Sequence, residues 1–239
     1  MSERALDATH VAGAAHVAGA AHVAGATHVA GATHVSDHPR FHSTTTKELA
    51  EWLVANNVRV RTAESCTGGQ IMSALTDVDG ASRIMDLSVL AYSPEVKQRL
   101  LRVPAPLTTE QTIVSETTAE CMQDGLAKFA EALGLRHPSW CVGVTGWLGP
   151  APDAVPHLAN TVFFSIGFDD IKHGNLHRTF CVRTNSSGQT KAEKKCAVAH
   201  RILLELADLA ASKEGVAASK KEDVAASTLK EDVAASTLK

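Results

Sequence analysis

The chain has 239 residues, 44% hydrophobic and 21% charged, with a formal net charge of −3. This is ordinary globular composition. The charge balance offers no basic surface for nucleic acid or for an anionic membrane, and no apolar run approaches the ~20 residues that a membrane span needs. The cysteines, Cys66, Cys121, Cys141, Cys181 and Cys196, are odd in number and show no CxxC pairing. Reduced thiols in a cytoplasmic protein are therefore expected.

Residues 1–42 carry a six-residue repeat, His-Val-Ala-Gly-Ala-(Ala/Thr), beginning at His10, His16, His22 and His28, with a partial copy at His34. No basic segment precedes an apolar core, so this stretch does not read as a secretory signal. At the other end, the nine residues Glu222–Lys230 recur unchanged as Glu231–Lys239. Both tails, 1–42 and 212–239, have few large apolar side chains to offset backbone ordering and read as disordered. Five histidines at six-residue spacing in a flexible chain make a weak metal ligand set, and no metal is expected.

Between the tails, residues 43–211 read as one domain. Thr45-x-x-Glu48 is a capping-box pattern ahead of a helix burying Leu49, Trp52 and Leu53, which Asn56 and Asn57 stop. Val58–Thr62 alternates as a strand. Gly68 and Gly69 open a helix with Ile71, Met72 and Leu75. Leu87–Tyr92 reads as a buried strand, and Pro94 suits the first turn of the next helix. Ser115 caps a long helix with an apolar stripe of Ala119, Met122, Leu126, Phe129 and Leu133. Strands are expected at Cys141–Thr145, Thr161–Phe168 and Leu176–Val182, then a helix burying Val198, Ile202, Leu206 and Leu209. Early alternation followed by a run of strands predicts an α/β fold, a mixed sheet with helices on both faces.

In such a sheet, the first loop leading from a strand into a helix is a usual ligand site. Here that loop is Thr-Ala-Glu-Ser-Cys-Thr-Gly-Gly at 62–69. Glycines admit close backbone approach, and a serine beside exposed main-chain N–H groups suits acyl transfer. Taken alone, a purely structural turn accounts for the segment equally well. Cys66 follows the serine, but no motif places a histidine partner for it.

The segment is one of five that together resemble the CinA C-terminal domain family, the nicotinamide-mononucleotide amidohydrolases also called PncC. The others are Leu-Thr-Asp-Val-Asp-Gly-Ala-Ser at 75–82, Tyr-Ser-Pro-Glu-Val-Lys at 92–97, Val-Ser-Glu-Thr-Thr-Ala at 114–119 and Val-Thr-Gly-Trp-Leu-Gly-Pro at 144–150. The resemblance covers about residues 45–210. It implies a three-layer α/β/α domain and hydrolysis of the carboxamide of nicotinamide mononucleotide, or a related small amide, to the acid and ammonia. It implies no cofactor. The family's nucleophile falls on Ser65, and its catalytic tyrosine and lysine fall on Tyr92 and Lys97. A serine hydroxyl needs a base, and a lysine of depressed pKa can be one. Glu64, Cys66, Thr67, Gly68, Gly69, Thr145, Gly146 and Lys191 are the expected substrate-lining residues. Glu64 either fixes the turn or meets a ribose hydroxyl. A homodimer is expected from the resemblance alone.

The match breaks in one loop. The family has roughly Gly-Pro-x-Gly-Gly-Thr/Ser-x-x-Lys-Pro-Val-Gly-Thr-Val where this chain has Gly-Pro-Ala-Pro-Asp-Ala-Val-Pro-His-Leu-Ala-Asn-Thr-Val at 149–162. Pro152 and Asp153 replace two glycines, His157 replaces the lysine and Asn160 replaces a glycine. A family Gly-Asp-Arg segment is here Gly188-Gln-Thr190, with Lys191 following. These changes predict retained acyl-transfer machinery with altered mononucleotide recognition. The alternative is a catalytically degenerate binding or scaffold domain.

Overall fold

The computed structural model describes residues 44–169, 176–184 and 189–212, without the side chains of residues 169 and 176. The repeats of both tails and the Gly188 position lie outside the described residues. The elements follow in the order α1 (Thr44–Ala55), β1 (Arg59–Glu64), α2 (Gln70–Thr76), β2 (Met85–Leu90), α3 (Pro94–Leu101), α4 (Glu116–Ala132), β3 (Ser139–Gly146), β4 (Thr161–Asp169), β5 (Leu176–Arg183) and α5 (Lys191–Ala211). This is the succession of helices and strands that the hydrophobic periodicity predicts.

The five strands form one mixed sheet in the order β2-β1-β3-β4-β5. β1 pairs parallel with both β2 and β3, while β3, β4 and β5 run antiparallel to one another. Alternate strand residues feed two cores. Val60, Trp140, Val142, Val144, Phe164 and Ile166 pack under α1, α2 and α5 with Leu53, Ile71 and Leu206. On the opposite face, Ala63, Val89 and Cys141 pack with Leu101, Met122 and Leu126 of α3 and α4. The result is the three-layer α/β/α architecture.

Local chemistry explains most boundaries. Asn57 takes the left-handed conformation after α1, with φ of 54°, and the Asn56 amide donates to the Trp52 carbonyl at 2.8 Å. Ser93 and Ser115 cap α3 and α4 by accepting from the N–H groups of Val96 and Thr118. Three details differ from the sequence reading. The strand expected to be buried over 87–92 runs instead over Met85–Leu90 at the edge of the sheet, with Leu90 55% exposed and Tyr92 beyond its end, because only one neighbouring strand covers it. α1 already begins at Thr44, so Thr45 lies inside the first turn; the capping box stands instead on α5, where Thr190 and Glu193 exchange both bonds. Leu133 is the C-cap of α4 and 55% exposed, because the helix ends before that position can turn back to the core.

α4 lies unusually close to its neighbours. A Cβ on Gly143 of β3 would come within 2.3 Å of the Ala119 carbonyl oxygen, and one on Gly125 within 1.9 Å of the Leu101 carbonyl oxygen. These hydrogens-only positions let α4 press on both the sheet and α3, which fixes where α3 sits. No helix among the described residues is long and apolar enough to cross a membrane.

Candidate active site

The three parallel strands end where α2 and α3 begin, and the chemistry gathers at this C-terminal edge. β1 runs into Ser65, and the turn that follows is held by its own glutamate. The Glu64 carboxylate is fully buried and accepts from the main-chain N–H groups of Gly69 at 2.8 Å, Ile71 at 3.3 Å and Met72 at 3.0 Å. Gly68 and Gly69 both have positive φ, 64° and 92°, which folds the chain back sharply enough for this capture. Of the two sequence readings of Glu64, the geometry carries the first: both carboxylate oxygens are engaged in fixing the turn.

α3 brings a lysine to the serine. Lys97 lies one turn into α3, and helical side chains lean toward the helix N-terminus, so Lys97 reaches back over the 91–93 bend. Its Nζ is 2.9 Å from Ser65 Oγ, 2.6 Å from the Ala91 carbonyl and 3.2 Å from the Tyr92 carbonyl. The side chain is 1% exposed and Ser65 is 7% exposed. Burial disfavours the ammonium and pulls the Lys97 pKa down from its ordinary value to about 8.

The same burial acts on the neighbouring thiol in the opposite sense. Cys66 is pushed up to about 12, because desolvation outweighs the N–H groups of Cys66 and Thr67 and the Lys97 charge. It is a buried neutral thiol, not an activated nucleophile. Among the described residues, no main-chain carbonyl accepts from the N–H of Cys66 or Thr67, whereas that of Gly68 donates to the Ser65 carbonyl at 3.2 Å.

The remaining expected residues take varied places. Tyr92 contributes its carbonyl to Lys97, while its side chain is 65% exposed and makes no hydrogen bond among the described residues. Thr145 is buried and donates to the Ile113 carbonyl at 2.7 Å, tying the loop before α4 to the end of β3. Gly146 is pressed against β4, where a Cβ would meet Val162 at 2.7 Å. Lys191 is exposed at the first turn of α5.

α5 supplies two lysines that the sequence reading does not single out. Lys194 is buried and donates to Asn160 Oδ1 at 2.8 Å. Lys195 Nζ lies over Gly68, 2.8 Å from where a Cβ would stand. The run Lys191…Lys194-Lys195 at helical spacing is the available sequence signal, and Lys191 alone follows from the family register. Asn160 has φ of 56°, the conformation a glycine would adopt at little cost, and asparagine is among the few other residues that tolerate it. The replacement in the loop thus preserves the backbone and adds an anchor for α5. A separate cleft of about 940 Å³ lies between α1 and Asp77–Ile84, and none of its lining residues belongs to the Ser65 turn.

The model of the CinA C-terminal domain matches residues 42–207. The chain belongs to the CinA C-terminal domain family. A CinA-like protein of Anaeromyxobacter dehalogenans (strain 2CP-C) is 38% identical over 114 residues, covering 48% of this chain and 26% of that protein. The chain therefore spans about a quarter of the length of the curated relatives it matches. A crystal structure of a competence-damaged protein (CinA) superfamily member from Klebsiella pneumoniae superposes with a TM-score of 0.59 at 24% identity, covering 70% of this chain and 96% of that one. Another from Enterobacter cloacae gives 0.58 at 26% identity, covering 70% and 90%. The mixed sheet and its helices are those of the CinA superfamily.

Proposed function

We propose that this CinA-family domain is a serine amidohydrolase that cleaves the carboxamide of nicotinamide mononucleotide, or a related small amide, to the acid and ammonia. The observation that carries the reading is the 2.9 Å contact between Lys97 Nζ and Ser65 Oγ, made with both groups buried. A neutral lysine amine has two N–H bonds and one lone pair. The carbonyls of Ala91 and Tyr92 engage the two N–H bonds, and the lone pair then faces the serine hydroxyl. Depression of the pKa to about 8 puts a useful fraction of the amine in that form near neutral pH.

In the proposed reaction, Lys97 takes the Ser65 proton as Oγ attacks the carboxamide carbon. The carbonyl electrons move onto oxygen, and main-chain N–H groups of the turn after Ser65 stabilise that oxyanion. The Lys97 ammonium returns its proton to the amine, the C–N bond breaks and ammonia leaves. Water, deprotonated by the same lysine, then splits the acyl ester, releasing the acid and restoring the serine. Tyr92 assists from the rim, where its phenol is free to meet the substrate.

The test is a panel of pyridine carboxamides, with the acid product separated by chromatography. Conversion of nicotinamide mononucleotide to the acid supports the reading. Absence of turnover on every amide would favour the degenerate binding domain, which the Pro152 and Asp153 replacements also allow. The accompanying proposal of a homodimer is checked by sedimentation of the full chain.

A further inference from the structure

The Ser65 turn has a second cation beside it, and the proposed chemistry does not use it. Lys195 Nζ lies over Gly68, close enough that a Cβ there would stand 2.8 Å away. Gly68 is three residues beyond Ser65 and its N–H closes onto the Ser65 carbonyl, so the ammonium sits at the nucleophile's own turn. α5 holds it there. Cys196 Sγ contacts Gln70 Oε1 at 3.5 Å, and Lys194 is locked to Asn160.

Three observations point to a ligand for this cation. Lys195 is half-buried yet makes no hydrogen bond or ion pair among the described residues, unlike its neighbour Lys194. The same turn holds Thr67, whose hydroxyl is fully buried and has no hydrogen-bond partner. The glycine under the ammonium has no side chain to keep a bound group away, and a lysine is a common point-charge partner of phosphate.

We infer that Lys195 is a specificity-determining residue that binds the phosphate monoester of the substrate, selecting phosphorylated amides over neutral ones. This rests on the proposed amidase reading for its choice of substrate. It also replaces Lys191, which is exposed one turn earlier on α5, as the cation serving the site.

Two measurements test it on the full chain. The first compares kcat/KM for nicotinamide mononucleotide and for the corresponding riboside, which lacks the phosphate. Lys195→Met is expected to shrink the preference for the phosphorylated amide about tenfold, acting through KM, and Lys195→Arg to retain most of it. Equal preference in wild type and Lys195→Met would overturn the inference. The second needs no turnover: calorimetric binding of nicotinamide mononucleotide to Ser65→Ala and to Ser65→Ala/Lys195→Met, both checked for an unchanged cooperative thermal transition. About tenfold weaker binding in the double variant is expected. Binding equal in the two, or no binding to Ser65→Ala, overturns the inference. Lys195-dependent binding by a wild type that hydrolyses no amide would sink the amidase reading and leave the phosphate site standing.

Discussion

The Glu64 carboxylate accepts the Gly69 N–H at 2.8 Å, and this bond closes the turn that presents Ser65. Three main-chain donors converge on one buried carboxylate, so the side chain does what a longer network of loop contacts would otherwise have to do. Glu64→Gln keeps the shape but turns one acceptor oxygen into a donor facing N–H groups. We expect a loss of about 1–3 kcal/mol in urea unfolding and a fall in amide turnover larger than any change in KM. Unaltered stability would show that the carboxylate does not hold the turn.

Gly125 tests how tightly α3 is held. A methyl group there would meet the Leu101 carbonyl at 1.9 Å, a contact with backbone that no rotamer relieves. Gly125→Ala is expected to cost about 1–3 kcal/mol, despite the better helix propensity of alanine. It should also lower activity, since α3 carries Lys97. Urea melts of the two proteins check the first part.

Lys97 makes both activity and stability rise with pH, although its burial costs stability at neutral pH. Its pKa falls from an ordinary 10.5 to about 8 in the folded chain. Below about 8 both folded and unfolded states are protonated, and the folded state bears the full cost of the buried ammonium. Between about 8 and 10.5 the folded state has lost a proton that the unfolded state keeps, so stability rises with pH across that window. At ~1.4 kcal/mol per pH unit the cost reaches up to about 3 kcal/mol. Losing two hydrogen bonds to carbonyls offsets about 1 kcal/mol each. Lys97→Met should therefore be inactive yet more stable by about 1 kcal/mol at pH 7, with the pH dependence of this window flattened. In wild type, kcat/KM should climb through about pH 8 and level off above it, as a base with that pKa requires. Thermal melts and rate profiles across this range measure both.

Cys66 should be dispensable as a nucleophile. With its pKa near 12 it is a neutral thiol throughout the working range. Native protein at pH 8 should resist iodoacetamide at this position, as peptide mapping would show, and Cys66→Ala should keep most of its activity. Rapid alkylation of Cys66, or its appearance as the acylated residue, would move the chemistry from serine to cysteine.

Much of the architecture was legible because it rests on local periodicity. The Asn56-Asn57 stop and the serine caps each act within a few residues, and each boundary stands where they place it; the Val58–Thr62 alternation marks β1, though the strand runs over Arg59–Glu64 and is buried on both faces. The contact of Ser65 with Lys97 spans 32 positions and is set by how α3 packs, which no pattern within one segment encodes. The resemblance supplied that pairing. It did not supply the free state of the Tyr92 phenol or the fixing role of Glu64, because both depend on which way a side chain leaves a bend. Lys195 was hidden for a related reason: only the packing of α5 on α2 shows which of three nearby lysines reaches Gly68. Asn160 is the converse case. Its replacement of glycine looks disruptive in sequence, yet its backbone keeps the left-handed turn and its amide gains Lys194.

The central claim is that Ser65, deprotonated by Lys97, is the nucleophile. Ammonia release from nicotinamide mononucleotide by wild type and Ser65→Ala, measured at pH 8.5 (roughly above the Lys97 pKa), tests it most directly. The expected result is a loss of at least about 100-fold in the variant, of the order seen when an activated nucleophile is removed. Equal rates in the two proteins would contradict it.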